Sequence, residues 1–190
     1  MTRHAFVPLL LLATALSSLA GSAPAQAPGE SLIAPIPAGF EYAGQMVVKG
    51  STLKIYRPPG QTNKNWSDQI VLQTTPTKVG GEPVGLLHAM EKPYADACKE
   101  HAPITILPGK TNGYATATTL FKCPAVADTG KPETALMHAI GGVDALYLVQ
   151  QTVRYVPAPE QLKQMIAYLG TMSLCDSRTA EHPCPPDAKP

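Results

Sequence analysis

An antiparallel α+β domain is the fold class this sequence predicts. Three observations carry that expectation: short runs of period-two alternation bounded by turn residues, two stretches of helical periodicity, and no regular exchange of strand for helix along the chain. The predicted order is βββ-α-ββββ-α, an antiparallel β-sheet with two main helices packed against it. One domain is expected over residues 38–176.

Three strands are predicted first, over residues 41–48, 52–57 and 68–74, separated by the Lys49-Gly50 turn and a polar loop at 58–65. In the third of them Ile70 and Leu72 fall on one face, as alternation requires. Trp66, the only tryptophan, stands at its entrance. A helix follows over 82–101, with Pro83 in its first turn and Leu87, Met90, Tyr94, Ala97 and His101 at helical spacing. Pro93 interrupts that pattern and predicts a kink or a break near Lys92.

Strands resume over 103–107 and 114–123, with 108–113 as the connecting turn and Asn112-Gly113 its strongest signal. A second hairpin is expected from 134–140 and 143–156 about Gly141-Gly142. In its long return strand Ala145, Tyr147, Val149, Val153 and Tyr155 share a face, while Leu146 and Leu148 give way to Gln150, Thr152 and Arg154 on the other. That is the pattern of a central strand, apolar on both faces early and on one face later. The last helix is predicted over 159–169, opening on a proline, placing Leu162, Ile166 and Leu169 on one face, and stopping at Gly170.

The N-terminal region reads as an address. Arg3 and His4 precede the apolar run from Phe6 to Leu12, and small residues follow to Ala27, the layout of a secretory signal peptide, with cleavage expected after Ala25. Residues 1–25 are thus the predicted signal peptide, 26–37 a flexible lead-in and 177–190 a proline-rich tail. No transmembrane segment is expected, because the apolar run falls short of the roughly 20 residues a spanning helix needs. A periplasmic or secreted location follows.

Net charge is +1 with 15% charged residues, and the basic residues are scattered, which argues against nucleic acid as a partner. Four cysteines, Cys98, Cys123, Cys175 and Cys184, lie in the exported portion, and an even count in an oxidising compartment predicts two disulfides. Three pairings are possible. Cys98–Cys123 with Cys175–Cys184 is preferred, the first tying helix to strand and the second closing a short tail loop. The alternative is a metal site from Cys98, His101 and Cys123, although the spacing fits no common zinc module.

Catalytic signatures are few. Residues 108–111, Pro-Gly-Lys-Thr, echo the end of a phosphate-binding loop but have Ile104 where the motif needs glycine, so a hairpin turn is expected there. Gly80, Gly81 and Gly85 before the first helix are compatible with anion binding or with a simple loop. Neither a nucleophile elbow nor a zinc-binding His-Glu-x-x-His helix occurs, and His88, His101 and His138 are dispersed. No cofactor is expected. The binding surface predicted from sequence is the loop 58–66 with Trp66, together with Gln150, Thr152 and Arg154.

The runs Trp66-Ser67-Asp68-Gln69-Ile70, Ala139-Ile140-Gly141-Gly142-Val143-Asp144-Ala145-Leu146-Tyr147 and Leu174-Cys175-Asp176 resemble those of small exported bacterial proteins of unknown function. The element order is similar to the Mog1/PsbP-like α+β fold, a likeness that implies binding or assembly roles more than catalysis. The expectation is a non-enzymatic exported protein that binds an envelope or secreted protein partner or a small ligand. The alternatives are an exported hydrolase with a dispersed active site and an envelope structural factor.

Overall fold

The computed structural model describes residues 29–77, 80–98 and 100–186. The predicted signal peptide, the start of the lead-in and the last four residues of the tail lie outside the described residues. Seven strands form one antiparallel sheet in the order β2-β3-β4-β8-β7-β6-β5. They are β2 (Glu41–Val48), β3 (Ser51–Arg57), β4 (Asp68–Pro76), β5 (Ile106–Thr111), β6 (Tyr114–Cys123), β7 (Glu133–Gly141) and β8 (Ala145–Val153). Two helices, α1 (Pro83–Ala97) and α2 (Pro159–Leu169), complete the predicted set. Two further strands, β1 (Glu30–Ile33) and β9 (Ser173–Asp176), pair with each other in a small second sheet.

The turns are where the sequence placed them because their backbone demands it. Lys49 and Gly50 take φ of 49° and 82°, Asn112 and Gly113 take 45° and 84°, and two consecutive positive φ values make the two-residue turn whose twist matches a hairpin. The register then fixes the faces. Ile70 and Leu72 both join the core cluster that contains Val149, Val153, Met165 and Leu169, on the side of the sheet that faces α2. On the opposite side Leu87 of α1 packs with Ala117, Phe121, Ala135, Met137, Ala139 and Leu148.

Five expectations need correction. Residues 30–33, placed in the lead-in, form β1. A four-residue strand amid Pro, Ala and Gly carries no legible alternation, and its partner β9 lies about 140 residues downstream. Glu30 secures it by accepting from the backbone N–H groups of Val143 and Asp144. Residues 108–111 are strand rather than turn, since Pro108 sits on an edge strand, where a missing N–H is tolerated. The first helix does not break at Pro93. The carbonyl freed there belongs to Ala89, and both residues face solvent, which supplies the missing hydrogen bond. That helix ends at Ala97, because Cys98 is extended (φ −137°, ψ 95°) and is drawn into a disulfide. Ile166 is 54% exposed, whereas Met165 and Leu169 are buried, so the core-facing stripe of α2 is rotated by one residue from the predicted one.

The cysteines pair as preferred, Cys98–Cys123 at 2.06 Å and Cys175–Cys184 at 2.01 Å. The bridges mark a chain that matures in a non-reducing, extracytoplasmic environment. No described helix is long and apolar enough to cross a membrane. The second bridge closes a loop in which Asp176 N–H donates to the His182 carbonyl, and Arg178 clamps Asp176 and Asp144 at 2.6 and 2.7 Å. Beyond Asp176 the described tail is irregular, as its prolines require.

The Cys98–Cys123 bridge closes a loop of 25 residues, for which chain entropy predicts about 3 kcal/mol of stabilisation. The Cys98→Ser/Cys123→Ser double variant is expected to melt roughly 6–12 °C below the wild type. Differential scanning calorimetry checks this, and an unchanged melting point would mean the loop is already ordered in the unfolded chain.

Candidate functional site

Neither helix reaches the outer strands on the α2 side of the sheet. Register places Leu107, Thr118 and His138 in one row there, Leu120 and Leu136 in the next, and Lys122 and Thr134 in a third. Two cavities open over these rows. The larger, about 430 Å³, lies over Leu107, Thr118, Leu120 and Leu136, between Ile166 of α2 and the segment Ala102–Pro103. The smaller, about 290 Å³, lies over Thr134 and Cys123, beside Leu162, Val156 and Pro157. Both are lined by Ala102 and Lys122, so they form one groove with the lysine at the junction.

The groove is chiefly apolar, with Val156 (76% exposed), Leu107 (63%) and Ile166 (54%) along it. Its polar groups are the threonines, Lys122 and, in the smaller cavity, Glu100. The Thr118 hydroxyl lies 2.8 Å from Nδ1 of His138, directly across the β6–β7 ladder. Burial holds the His138 imidazole below its ordinary pKa. Its Nε2 is buried without a hydrogen-bond partner. A hydroxyl on a neutral imidazole is half of a nucleophile–base pair, but among the described residues no carboxylate meets Nε2 to orient the ring from behind.

Sequence reasoning missed this groove; its signal would have been the uneven burial of α2, which only the packed structure reveals. The predicted surface residues are distributed differently. Gln150 is half-buried and donates to the Thr152 hydroxyl at 2.7 Å, and Thr152 is buried. Thr152 is enclosed because it lies between Gln69 of β4 and Ala135 of β7. Trp66 and Arg154 do meet: the guanidinium carbon stands 3.7 Å from the indole centroid. They line a small polar cleft at the end of the β4–β8 ladder, with no lining residue in common with the groove.

The remaining candidates have structural roles. Sγ of Cys98 and Cys123 are joined, which removes the thiolates the alternative metal set requires, while His101 lies beyond α1 with Nδ1 3.0 Å from the Ala102 carbonyl. His88 pairs with Glu91 on the exposed face of α1. The glycines before α1 serve packing: Gly81 N–H donates to the Gly142 carbonyl, and a Cβ at Gly141 would collide with the Gly81 carbonyl. Residues 108–111 pair along β6 as a regular strand.

His138 supplies a pH test with a definite sign. A histidine kept neutral by burial takes its proton more readily in the unfolded chain, so stability is full above about pH 6.5 and falls as pH drops below it. The wild type is expected to lose melting temperature between pH 7.5 and 5 more steeply than His138→Gln. Parallel pH profiles for the two proteins would show that the imidazole is not the group responsible.

No known protein-family model matches this chain, and no curated protein sequence matches it.

Proposed function

We propose that this is a periplasmic or secreted, non-enzymatic binding protein that holds a small amphipathic anion in the groove between α2 and β5–β6. The observation that carries the reading is the joining of two largely apolar cavities at a single lining cation, Lys122. The one lining acid, Glu100, is confined to the smaller cavity, so that an anionic head is favoured on the side of the larger one. An apolar body up to the combined length of the cavities would remove Leu107, Leu120 and Ile166 from water. A carboxylate or similar head would sit against the lysine ammonium. The larger cavity falls within the roughly 300–1,000 Å³ range of small-molecule sites, and an apolar lining with a few polar groups is their usual make-up. The extracytoplasmic setting given by the disulfides suits capture of such a molecule outside the cytoplasm.

Binding is read by calorimetric titration with a series of medium-chain fatty carboxylates and their alcohols. Ile166→Asp places a charge on the groove wall and is expected to weaken binding at least about tenfold. Lys122→Gln is expected to weaken the carboxylates and leave the alcohols unchanged. Both residues are exposed, so the fold should be retained, as circular dichroism would verify. Absence of saturable binding by any member of the series would rule the reading out.

The hydrolase alternative has one observation in its favour, the Thr118–His138 pair, of which Thr118 lines the groove. It predicts that short-chain nitrophenyl esters are cleaved by the wild type and not by Thr118→Val. The binding-protein reading predicts no turnover by either.

A further inference from the structure

We propose that the cleft in front of Trp66 and Arg154 is a second site, built for an oxyanion group, a carboxylate or phosphate borne by a small ligand. The cleft holds about 210 Å³ and is lined by Gln61, Asn65, Trp66, Ser67, Lys131 and Arg154. This inference is independent of the groove, since the two share no lining residue.

Arg154 is held in place without being satisfied. Its guanidinium stacks on Trp66 at 3.7 Å, and its nearest carboxylate, Oε2 of Glu133, stands 3.6 Å from Nε. That separation is longer than a well-formed hydrogen bond, and among the described residues the buried Nε has no acceptor closer than this ion-paired carboxylate. A buried donor without an acceptor calls for a physical explanation, and a bound anion is one. Stacking fixes the plane of the fork in advance, the arrangement that favours two-point recognition of a carboxylate or phosphate.

The charges around the cleft are unbalanced toward the positive. Arg57 lies behind it and spends its nitrogens on neutral acceptors, Gln69 Oε1 at 2.6 and 2.9 Å and Asn63 Oδ1 at 2.7 Å. Lys131 is exposed at the rim. Against these three cations stand two carboxylates, Asp68, which accepts from the hydroxyls of Ser67 and Tyr155, and Glu133, which is ion-paired with the guanidinium. The loop is also set beforehand: Gln61 accepts from the Ser67 N–H at 2.8 Å and donates to its hydroxyl at 3.0 Å. An incoming anion would therefore meet a rigid, net-cationic recess.

Trp66 is the only tryptophan, so its emission reports on this cleft alone. Titration of the disulfide-bonded protein with sodium phosphate and sodium acetate, against sodium chloride at matched ionic strength, is expected to give a saturable change for phosphate, acetate or both. Isothermal calorimetry should give the same constants. Phosphate alone or acetate alone would identify the head group. Arg154→Lys keeps the charge but loses the fork and is expected to bind about tenfold more weakly; the exposed Lys131→Gln, about threefold. Emission that follows ionic strength alone with no calorimetric heat, or variants that titrate as the wild type does, would overturn the proposal.

Discussion

The pairing of β8 on both of its edges is the constraint on which the rest of the architecture depends. All nine of its residues face β4 along one side, from Asp68–Val153 to Pro76–Ala145, and eight of them, Leu146–Val153, face β7 along the other. Val149 is wholly buried and Leu148, on the opposite face, nearly so. A strand shielded on both faces cannot satisfy its backbone with water, so both ladders must form for it to be buried at all. The β4–β8 ladder joins two halves of the chain that are otherwise separate meanders, β2–β4 and β5–β8. The chain leaves the sheet at β4, next to the central strand β8, and re-enters at the far edge, β5, and α1 is the element that makes this crossing.

The path of α1 determines what can cover each face. A seven-stranded sheet is about 29 Å wide at about 4.8 Å per strand, and one helix with its side chains covers about 10 Å of it. On one side α1 packs over β5, β6 and β7. On the other, α2 lies over the middle strands and the β1–β9 pair extends the cover toward Leu72 and Tyr147. Together these span about 20 Å, which leaves about two strands open. The uncovered strands lie at the two edges. At one, β2 is exposed along nearly its whole length; at the other, β5 and the Thr118–Lys122 end of β6 stay open, where the groove over Thr118, Leu120 and Lys122 is the result. The site is thus a consequence of how many strands the chain forms and how few elements it has to cover them.

This explains which parts of the molecule were legible. The strand and helix periodicities, the two-residue turns and the disulfide framework rest on local chemistry, and each is readable from a window of ten residues or so. Residues 41–48, 114–123 and 159–169 keep their predicted bounds in the structure because alternation, an Asn-Gly turn, an opening proline and a closing glycine specify them. β1 and β9 were not legible, since four residues carry too little pattern and their pairing spans the whole domain. The groove was hidden for a related reason. Leu162, Ile166 and Leu169 form an acceptable helical stripe, and only the placement of α2 decides that Ile166 faces an opening instead of the core. Trp66 and Arg154 both belong to the surface predicted from sequence, but their contact depends on the β4–β8 register, which no local pattern encodes.

The disulfide between Cys98 and Cys123 gives the groove part of its wall. It joins the end of α1 to the last residue of β6, and the chain between Cys98 and β5 must then pass across the open strands before it can enter the sheet. Ala102 and Pro103 line the larger cavity on that passage, while Cys123 itself lines the smaller one. The segment has little of its own to hold it: Glu100, Ala102 and Pro103 are exposed, and only Ile104 and Ile106 join the α1 core. Tethering it at Cys98 limits the positions it can adopt relative to Lys122. The same covalent bond that compensates for a sparsely packed crossover therefore also sets the width of the groove, which ties the shape of the site to the oxidising compartment in which the bond persists.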